Sequence, residues 1–211
     1  MSEQTIGRRA FLAGGVAIAA TALAGCNSTF QTFGSVPRLG QREREPAGYR
    51  AANLNLVPDE FHRTYVRYET REKPGTIVVD TKARHLFLVQ EDGGAIRYGI
   101  GVGRQGFEWK GTANVQRKAK WPRWIPPKEM VARDPNARKY KDGWEGGPGN
   151  PLGARALYLY KGNRDTLYRI HGTNNPRSIG KAMSSGCVRM LNQDVIDLYE
   201  RVPEGTRVVV L

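Results

Sequence analysis

The sequence predicts a mainly β domain, a β-sandwich with one helix near its end and a long basic insertion between strands. Short β-branched and aromatic runs alternate with turn residues, and Gly accounts for 25 and Pro for 12 of the 211 residues. One stretch, beginning near Asn192, has the spacing of an amphipathic helix. Hydrophobic residues make up 39% of the chain and charged residues 25%, which is typical of a globular protein rather than a disordered one.

The first β-rich region spans residues 76–103 and is predicted to form three antiparallel strands. A Glu-Asp-Gly-Gly hairpin signal at 91–94 separates the second strand from the third. In the third strand the apolar residues share one face, while Arg97 and three glycines alternate on the other. The glycines predict that another part of the backbone approaches that face closely.

A second hairpin is predicted from residues 154–160 and 166–171, which flank a Lys-Gly-Asn turn. The predicted helix begins with Asn192 as its N-cap and has Asp194 in its first turn. Residues 207–211 are predicted to be a final strand.

The predicted basic insertion covers residues 117–141, with nine Lys or Arg and two Asp or Glu. Trp121, Trp124 and Tyr140 lie among these charges, which is similar to the composition of nucleic-acid-binding segments. The prolines near these tryptophans argue against a central strand here. The net charge of the chain is +13, which favours an anionic partner or a solvated basic surface.

The N-terminal residues resemble an export signal. Residues 1–25 carry an Arg8-Arg9 pair similar to a twin-arginine signal, followed by a short apolar run. The run ends in Leu-Ala-Gly-Cys, which resembles a lipobox and predicts lipidation of Cys26. We therefore expect an exported, periplasmic protein anchored to a membrane. Secretion without lipid and a buried cytosolic helix are the alternatives.

Residues 26–74 are predicted to be a tether and an approach segment before the domain at 75–211. Export argues against nucleic acid as a partner, so we expect the insertion to pack as a loop and to contact an acidic substrate.

The two cysteines exclude a disulfide scaffold and a zinc site built from several thiolates. If Cys26 is lipidated, Cys187 is the sole remaining thiol and lies in an oxidising compartment. A thiol that is retained in an oxidising compartment indicates that the protein uses its reactivity. A disulfide between the two cysteines is the alternative.

Residues 171–189 contain the candidate chemistry. His171 precedes Cys187 by sixteen residues, enough for a strand end, a loop and a return. A nearby imidazole can activate a thiol as a nucleophile. Gly186 allows a sharp turn at which backbone N–H groups can stabilise an oxyanion. Arg189 supplies fixed positive charge for a substrate carboxylate or for the loop.

Two strings carry a family resemblance: Ile-His-Gly-Thr at 170–173 and Ser-Ser-Gly-Cys-Val-Arg-Met at 184–190. Together they resemble the signature of the L,D-transpeptidase (YkuD-type) catalytic domain, over roughly 75–211. The resemblance implies a mainly β fold, Cys187 as the nucleophile and His171 as the proton donor and acceptor. It also implies that the Gly172 carbonyl orients the imidazole, and that no metal or organic cofactor is needed.

The resemblance implies peptidoglycan as the partner. Cys187 would form a thioester with a stem tetrapeptide, and an amine of a second stem would complete a 3→3 cross-link. Water as acceptor would make the protein an L,D-carboxypeptidase, and a lipoprotein lysine would make it a protein-anchoring acyltransferase. One position departs from the family pattern, because Ser185 stands where many members have a second histidine.

Two other function classes remain open from the sequence. The first is another exported cysteine acyltransferase or peptidase. Papain-like and NlpC-type enzymes place Cys before His, and sortase-like enzymes have a Thr-rich strand before the Cys that is absent here. The second is a non-catalytic wall-binding lipoprotein, which the reactivity of Cys187 distinguishes from an enzyme.

Overall fold

A computed structural model of the chain describes residues 36, 45–103, 109–184 and 186–211, without the side chains of Met183 and Ser184. The predicted export signal, Cys26 and Ser185 lie outside the described residues.

Within those ranges the chain forms a mainly β domain with three α-helices and three 3₁₀ turns. The strands are β1 (Thr64–Arg67), β2 (Ile77–Asp80), β3 (His85–Val89), β4 (Gly94–Gly103), β5 (Gly111–Lys120), β6 (Arg155–Lys161), β7 (Arg164–His171), β8 (Ala182–Ser184), β9 (Val188–Met190) and β10 (Arg207–Val210). The helices are α1 (Lys128–Arg133), α2 (Pro135–Arg138) and α3 (Asn192–Arg201), and the 3₁₀ turns are Leu54–Leu56, Asp59–Phe61 and Pro176–Ser178.

The strands follow the order β1-β4-β3-β2-β10-β5-β6-β7-β9, and β9 also pairs with β4. The sheet therefore closes on itself, and apolar residues from both of its halves meet in one core with α3. Most neighbours are antiparallel, but β7 and β9 run parallel. This parallel pair brings the two predicted catalytic segments side by side.

The predicted strands over 76–103, the second hairpin and the final strand are confirmed. The prediction that another part of the backbone closely approaches the glycine face of β4 is also confirmed. A Cβ at Gly99 would overlap the backbone of Phe61, and one at Gly101 would approach the Ser178 carbonyl oxygen to 2.5 Å. These contacts hold the segments before β1 and after β7 against the sheet.

The basic insertion begins later than the sequence predicted. Residues 117–120 belong to β5, a central strand between β10 and β6, which the sequence analysis missed. The prolines after Lys120 end that strand. The prediction of a single helix also needs correction, because α1 and α2 lie inside the insertion.

Lys118 has a structural position within this segment. Its Nζ donates to the carbonyl oxygens of Tyr199 and Val202, both at 2.7 Å, at the C-terminal end of α3. Its ammonium also lies 4.1 Å from the ring centroid of Tyr199. This cation therefore satisfies helix carbonyls that lack partners within the helix.

The start of α3 also differs from the prediction. The N-cap is Leu191, and Asn192 is the first helical residue, with its side chain turned away from the helix. Its Oδ1 accepts from the Ala154 N–H at 2.9 Å. Asn192 therefore joins the helix to the sheet instead of capping the helix.

The approach segment, residues 45–63, packs against the domain. Arg155 is almost fully buried, and its guanidinium donates to the Glu45 carboxylate at 2.5 and 3.1 Å. Ala52 exchanges two hydrogen bonds with the Gln193 side chain. None of the helices in the described part of the chain has the length and apolarity to cross a membrane.

Candidate active site

The pairing of β7 with β9 places His171 and Cys187 on the same face of the sheet. The register aligns Ile170 with Val188 and His171 with Arg189. Ile170 and Val188 both point into the core. Side chains alternate along a strand, so His171, Cys187 and Arg189 lie on the opposite face. His171 and Cys187 are diagonal neighbours across the pair, a distance that long side chains can bridge.

His171 ends β7 and is buried, with 5% of its surface exposed. Its Nδ1 lies 2.6 Å from the Gly172 carbonyl oxygen. A carbonyl oxygen can only accept, so Nδ1 carries the proton and Nε2 keeps its lone pair. The imidazole therefore has the tautomer that a general base requires.

The Gly172 carbonyl is fixed by tight packing behind it. The Gly172 N–H donates to the Arg155 carbonyl at 3.0 Å. A Cβ at Gly172 or at Gly153 would overlap the Asn192 Oδ1. Both positions therefore require glycine, and Asn192 closes the packing from α3. The sequence pattern predicted that Asn192 caps the helix, and no motif signalled this contact.

The pKa of His171 is lowered to about 4. Burial is the largest cause, and the charge of Arg189 is the second. The Gly172 and Leu152 carbonyls oppose the shift but do not outweigh it. The imidazole is consequently neutral near pH 7, where a base must be unprotonated to accept a proton.

Cys187 is half-buried beside β7, and its sulfur is a thiol rather than part of a disulfide. Its Sγ lies 4.0 Å from the Leu167 carbonyl oxygen. Burial raises the pKa of the thiol, while the backbone N–H of Arg169 and the charges of Arg169 and Arg189 lower it in part. The resting site therefore holds a neutral thiol and a neutral imidazole on one face of the strand pair, and proton transfer accompanies attack.

Gly186 adopts a φ of +127°, in the region that favours glycine. This agrees with the sharp turn expected beside the thiol. A Cβ at Gly186 would meet the ring of Tyr168, which stacks on Trp109 with centroids 5.0 Å apart. These two rings pack against the core together with Val188 of β9.

Arg189 is half-buried, and burial lowers its pKa. Within the described residues, no carboxylate forms a salt bridge with it. Its charge acts on both partners, because it lowers the pKa of Cys187 and that of His171. An uncompensated guanidinium beside the thiol suits a substrate carboxylate.

The described residues hold no group of three or more His, Cys, Asp or Glu side chains arranged to bind a metal ion. The arrangement supports nucleophilic chemistry by a thiol with an imidazole on the same face of the strand pair.

Comparison with known proteins identifies the family. A sequence model of the L,D-transpeptidase catalytic domain (YkuD) matches residues 74–210. The chain belongs to this family, which is a family of cysteine-dependent acyltransferases acting on peptidoglycan stem peptides.

Curated relatives agree with this assignment. The chain is 31% identical to a putative L,D-transpeptidase of Fuscovulum blasticum over 98% of both chains. It is 35% identical to the probable L,D-transpeptidase YbiS of Escherichia coli over 72% of this chain. That alignment spans 46% of YbiS, so the chain covers about half the length of this relative.

Solved structures show the same fold. A Brucella melitensis protein described as a probable carnitine operon oxidoreductase is 54% identical, with a TM-score of 0.51, over 75% of this chain and 99% of that one. The Ldtfm–avibactam carbamoyl enzyme is 18% identical, with a TM-score of 0.50, over 66% of this chain and 49% of that one. The second likeness concerns the fold alone.

Proposed function

We propose that this protein is a peptidoglycan L,D-transpeptidase in which Cys187 is the nucleophile and His171 the proton donor and acceptor. The observation that carries the proposal is the shared face of β7 and β9, where a neutral imidazole protonated on Nδ1 lies diagonal to the sole described thiol. Family membership supplies the substrate class.

The first half-reaction acylates the thiol. The Cys187 sulfur attacks the carbonyl carbon between the third and fourth residues of a stem tetrapeptide, and His171 Nε2 takes the thiol proton. As the C–N bond breaks, His171 returns that proton to the departing D-alanine nitrogen. Backbone N–H groups at Gly186 and Cys187 stabilise the oxyanion. The product is a thioester on Cys187.

The second half-reaction transfers the acyl group to an amine. His171 removes a proton from the attacking nitrogen and returns one to the departing sulfur. A side-chain amine of a neighbouring stem gives a 3→3 cross-link. We propose that Arg189 holds a carboxylate of the stem peptide, because it lies beside the thiol without a carboxylate partner among the described residues.

Mass spectrometry of the purified protein with a stem tetrapeptide tests this proposal. We expect a thioester adduct that maps to Cys187, release of one D-alanine, and neither product with Cys187→Ser, because a hydroxyl is far less acidic than a thiol. A tripeptide product without cross-links would indicate a carboxypeptidase. Adducts with a lipoprotein lysine would indicate an anchoring enzyme. An inert Cys187 thiol would instead favour a non-catalytic wall-binding protein.

We also propose that the protein is exported to the periplasm and held at a membrane by lipid on Cys26. The twin-arginine-like segment and the lipobox support this. Intact-mass analysis of protein from its native membrane should show a diacylglyceryl adduct, and paired acyl chains are what stable anchoring requires. A mature chain without lipid would contradict the proposal.

A further inference from the structure

Strand β7 carries a bulge directly beside the Cys187 thiol. Its pairing with β6 joins Tyr158 to Arg169 and Tyr160 to Asp165. Leu159 alone therefore faces the three residues 166–168, and β7 has two residues more than its partner. Bulges of this kind redirect groups next to active sites.

Leu167, in the middle of the bulge, has a strained conformation. Its φ is +63°, in the left-handed region that leucine rarely adopts, and its side chain is 76% exposed. No burial of that side chain offsets the strain. The conformation places the Leu167 carbonyl 4.0 Å from the Cys187 Sγ.

Asp165 holds the bulge in this shape. Its Oδ1 accepts from the Leu167 N–H at 2.8 Å, and its two carboxylate oxygens accept from the Arg169 guanidinium at 2.7 and 2.8 Å. Although burial raises the pKa of Asp165, the hydrogen bonds from Arg169 and Leu167 and the Arg169 charge hold it below its ordinary value. The carboxylate is therefore ionised at neutral pH and ties the bulge to the residue after it.

Leu167 and Arg169, the two residues that Asp165 binds, both contact the thiol through their backbone groups. The Leu167 carbonyl lies on one side of the sulfur, and the backbone N–H of Arg169 donates to it. A carbonyl can accept from a neutral thiol, whereas an N–H group stabilises a thiolate. The bulge thus offers one partner to each protonation state of Cys187.

We propose that Asp165 is a positioning residue for the acyl transfer: by bracing the Leu167 bulge it aims the Arg169 N–H at the Cys187 sulfur and stabilises the attacking thiolate. This rests on the proposed function of Cys187 as a nucleophile. The charged and titratable groups around the sulfur are Arg169 and His171 on β7, Arg189 on β9, and Asp165 through its ion pair with Arg169.

The sign of the effect separates positioning from simple electrostatics. Removing the Asp165 charge leaves Arg169 without its counter-charge, which by itself would lower the pKa of Cys187. Loss of a positioned N–H would raise that pKa. A rise in Asp165→Ala therefore identifies the geometric role.

The experiment measures iodoacetamide alkylation of Cys187 between pH 6 and 10 in the full chain, with peptide mapping to separate Cys187 from Cys26. In Asp165→Ala we expect a rate near pH 7 roughly tenfold lower and a pH profile moved upward, since hydrogen bonds to charged groups are among the strongest. Asp165→Asn keeps an oxygen that accepts from Leu167 and should not move the profile upward.

A second pair of variants probes the bulge itself. Leu167→Gly permits the same conformation and should keep the wild-type profile, whereas the β-branched Leu167→Val disfavours it and should behave like Asp165→Ala. Glu72→Ala removes a comparable carboxylate, paired with Arg207 at 3.1 Å, and controls for general loss of stability.

An unchanged or lowered profile in Asp165→Ala, or equal profiles for the two Leu167 variants, would overturn the proposal. Thioester formation from a stem tetrapeptide, measured on the same wild-type sample, reports on the proposed function separately. Its absence would not alter what the alkylation profiles say about Asp165.

Discussion

Two groups of buried ionisable residues in this protein behave in opposite ways. At the candidate active site, burial moves His171 and Cys187 toward their neutral forms, with the pKa of His171 near 4 and that of Cys187 raised. Beside α3, burial alone would raise the pKa of Asp197, but Arg201, Arg63 and Tyr98 hold it below its ordinary value. The first group faces arginine side chains and backbone groups, whereas the Asp197 carboxylate is paired with two arginines and a tyrosine.

The contacts explain this difference. Arg201 donates to both carboxylate oxygens of Asp197 at 2.8 and 3.1 Å, Tyr98 donates to it at 2.8 Å, and Arg63 lies 3.1 Å away. Pairing of this kind makes a buried charge tolerable and structural. His171 faces a carbonyl and a cation instead of a carboxylate. Strongly perturbed pKa values of this kind cluster at functional sites.

The largest expected effect concerns His171. If it is the base, His171→Ala should lower the rate of Cys187 acylation by a carbapenem by about 10²–10⁴-fold, because a positioned base typically contributes that much. The family resemblance implies that such β-lactams acylate this site. Peptide mapping of the adduct from pH 6 to 9 measures the rate. A wild-type rate across that range would show that another group activates the thiol.

The paired group should respond in stability rather than in reactivity. Asp197→Ala removes the carboxylate that half-buried Arg201 and buried Tyr98 bind, and we expect a loss of about 3–5 kcal/mol in the free energy of unfolding. Urea denaturation measures it. Glu69→Ala, at an exposed pair with Arg67, should cost about 1 kcal/mol or less. Equal effects of the two variants would contradict the contrast between the clusters.

Lowering the pH should destabilise the protein in two separate pH ranges, one for each group. The folded pKa of His171 is about 4, below the unfolded value of about 6.5, so stability falls as pH drops from about 6.5 to 4. The part of the loss due to His171 is roughly 3 kcal/mol, and His171→Gln should abolish that part while leaving the part due to His85, whose pKa burial also lowers. The pKa of Asp197 is lowered, so its contribution is present above about pH 3.9 and is lost below that. Denaturation midpoints from pH 3 to 8 measure both windows, and an unchanged slope above pH 4 in His171→Gln would count against the first.

The sequence carried the parts of the fold that depend on local pattern. The alternating apolar residues in β4 and the turn at 91–94 predicted strands, because each of these signals is contained within a few consecutive residues. Strand β5 was missed because its exposed residues are basic and the prolines after Lys120 suggested a loop throughout.

At the candidate site too, only some of the features could be predicted from the sequence. His171 and Cys187 lie in a recognisable motif, and Gly186 has the expected turn. The support from Asn192 depends on a contact with Ala154, which is 38 residues away, and such a contact leaves no local signal in the sequence. The Asp165 contacts with Leu167 and Arg169 are local, but no motif at these positions predicted the bulge.

The smallest expected effects distinguish two kinds of cation near the insertion. The sequence suggested that its charges, Lys118 among them, bind an acidic substrate. Lys118 instead donates to two carbonyls at the end of α3, so Lys118→Met should lower the free energy of unfolding by about 1–2 kcal/mol.

Lys128→Met and Lys139→Met, which remove exposed charges from the insertion, should leave stability unchanged. Together these two should raise KM on wall fragments a few-fold and weaken its salt dependence, because exposed charges act over a Debye length of about 8–10 Å. Thermal denaturation and kinetics at 50 and 200 mM salt check both expectations. If the Lys118→Met protein were as stable as the wild type but had a raised, salt-sensitive KM, Lys118 would belong to the substrate-binding surface instead.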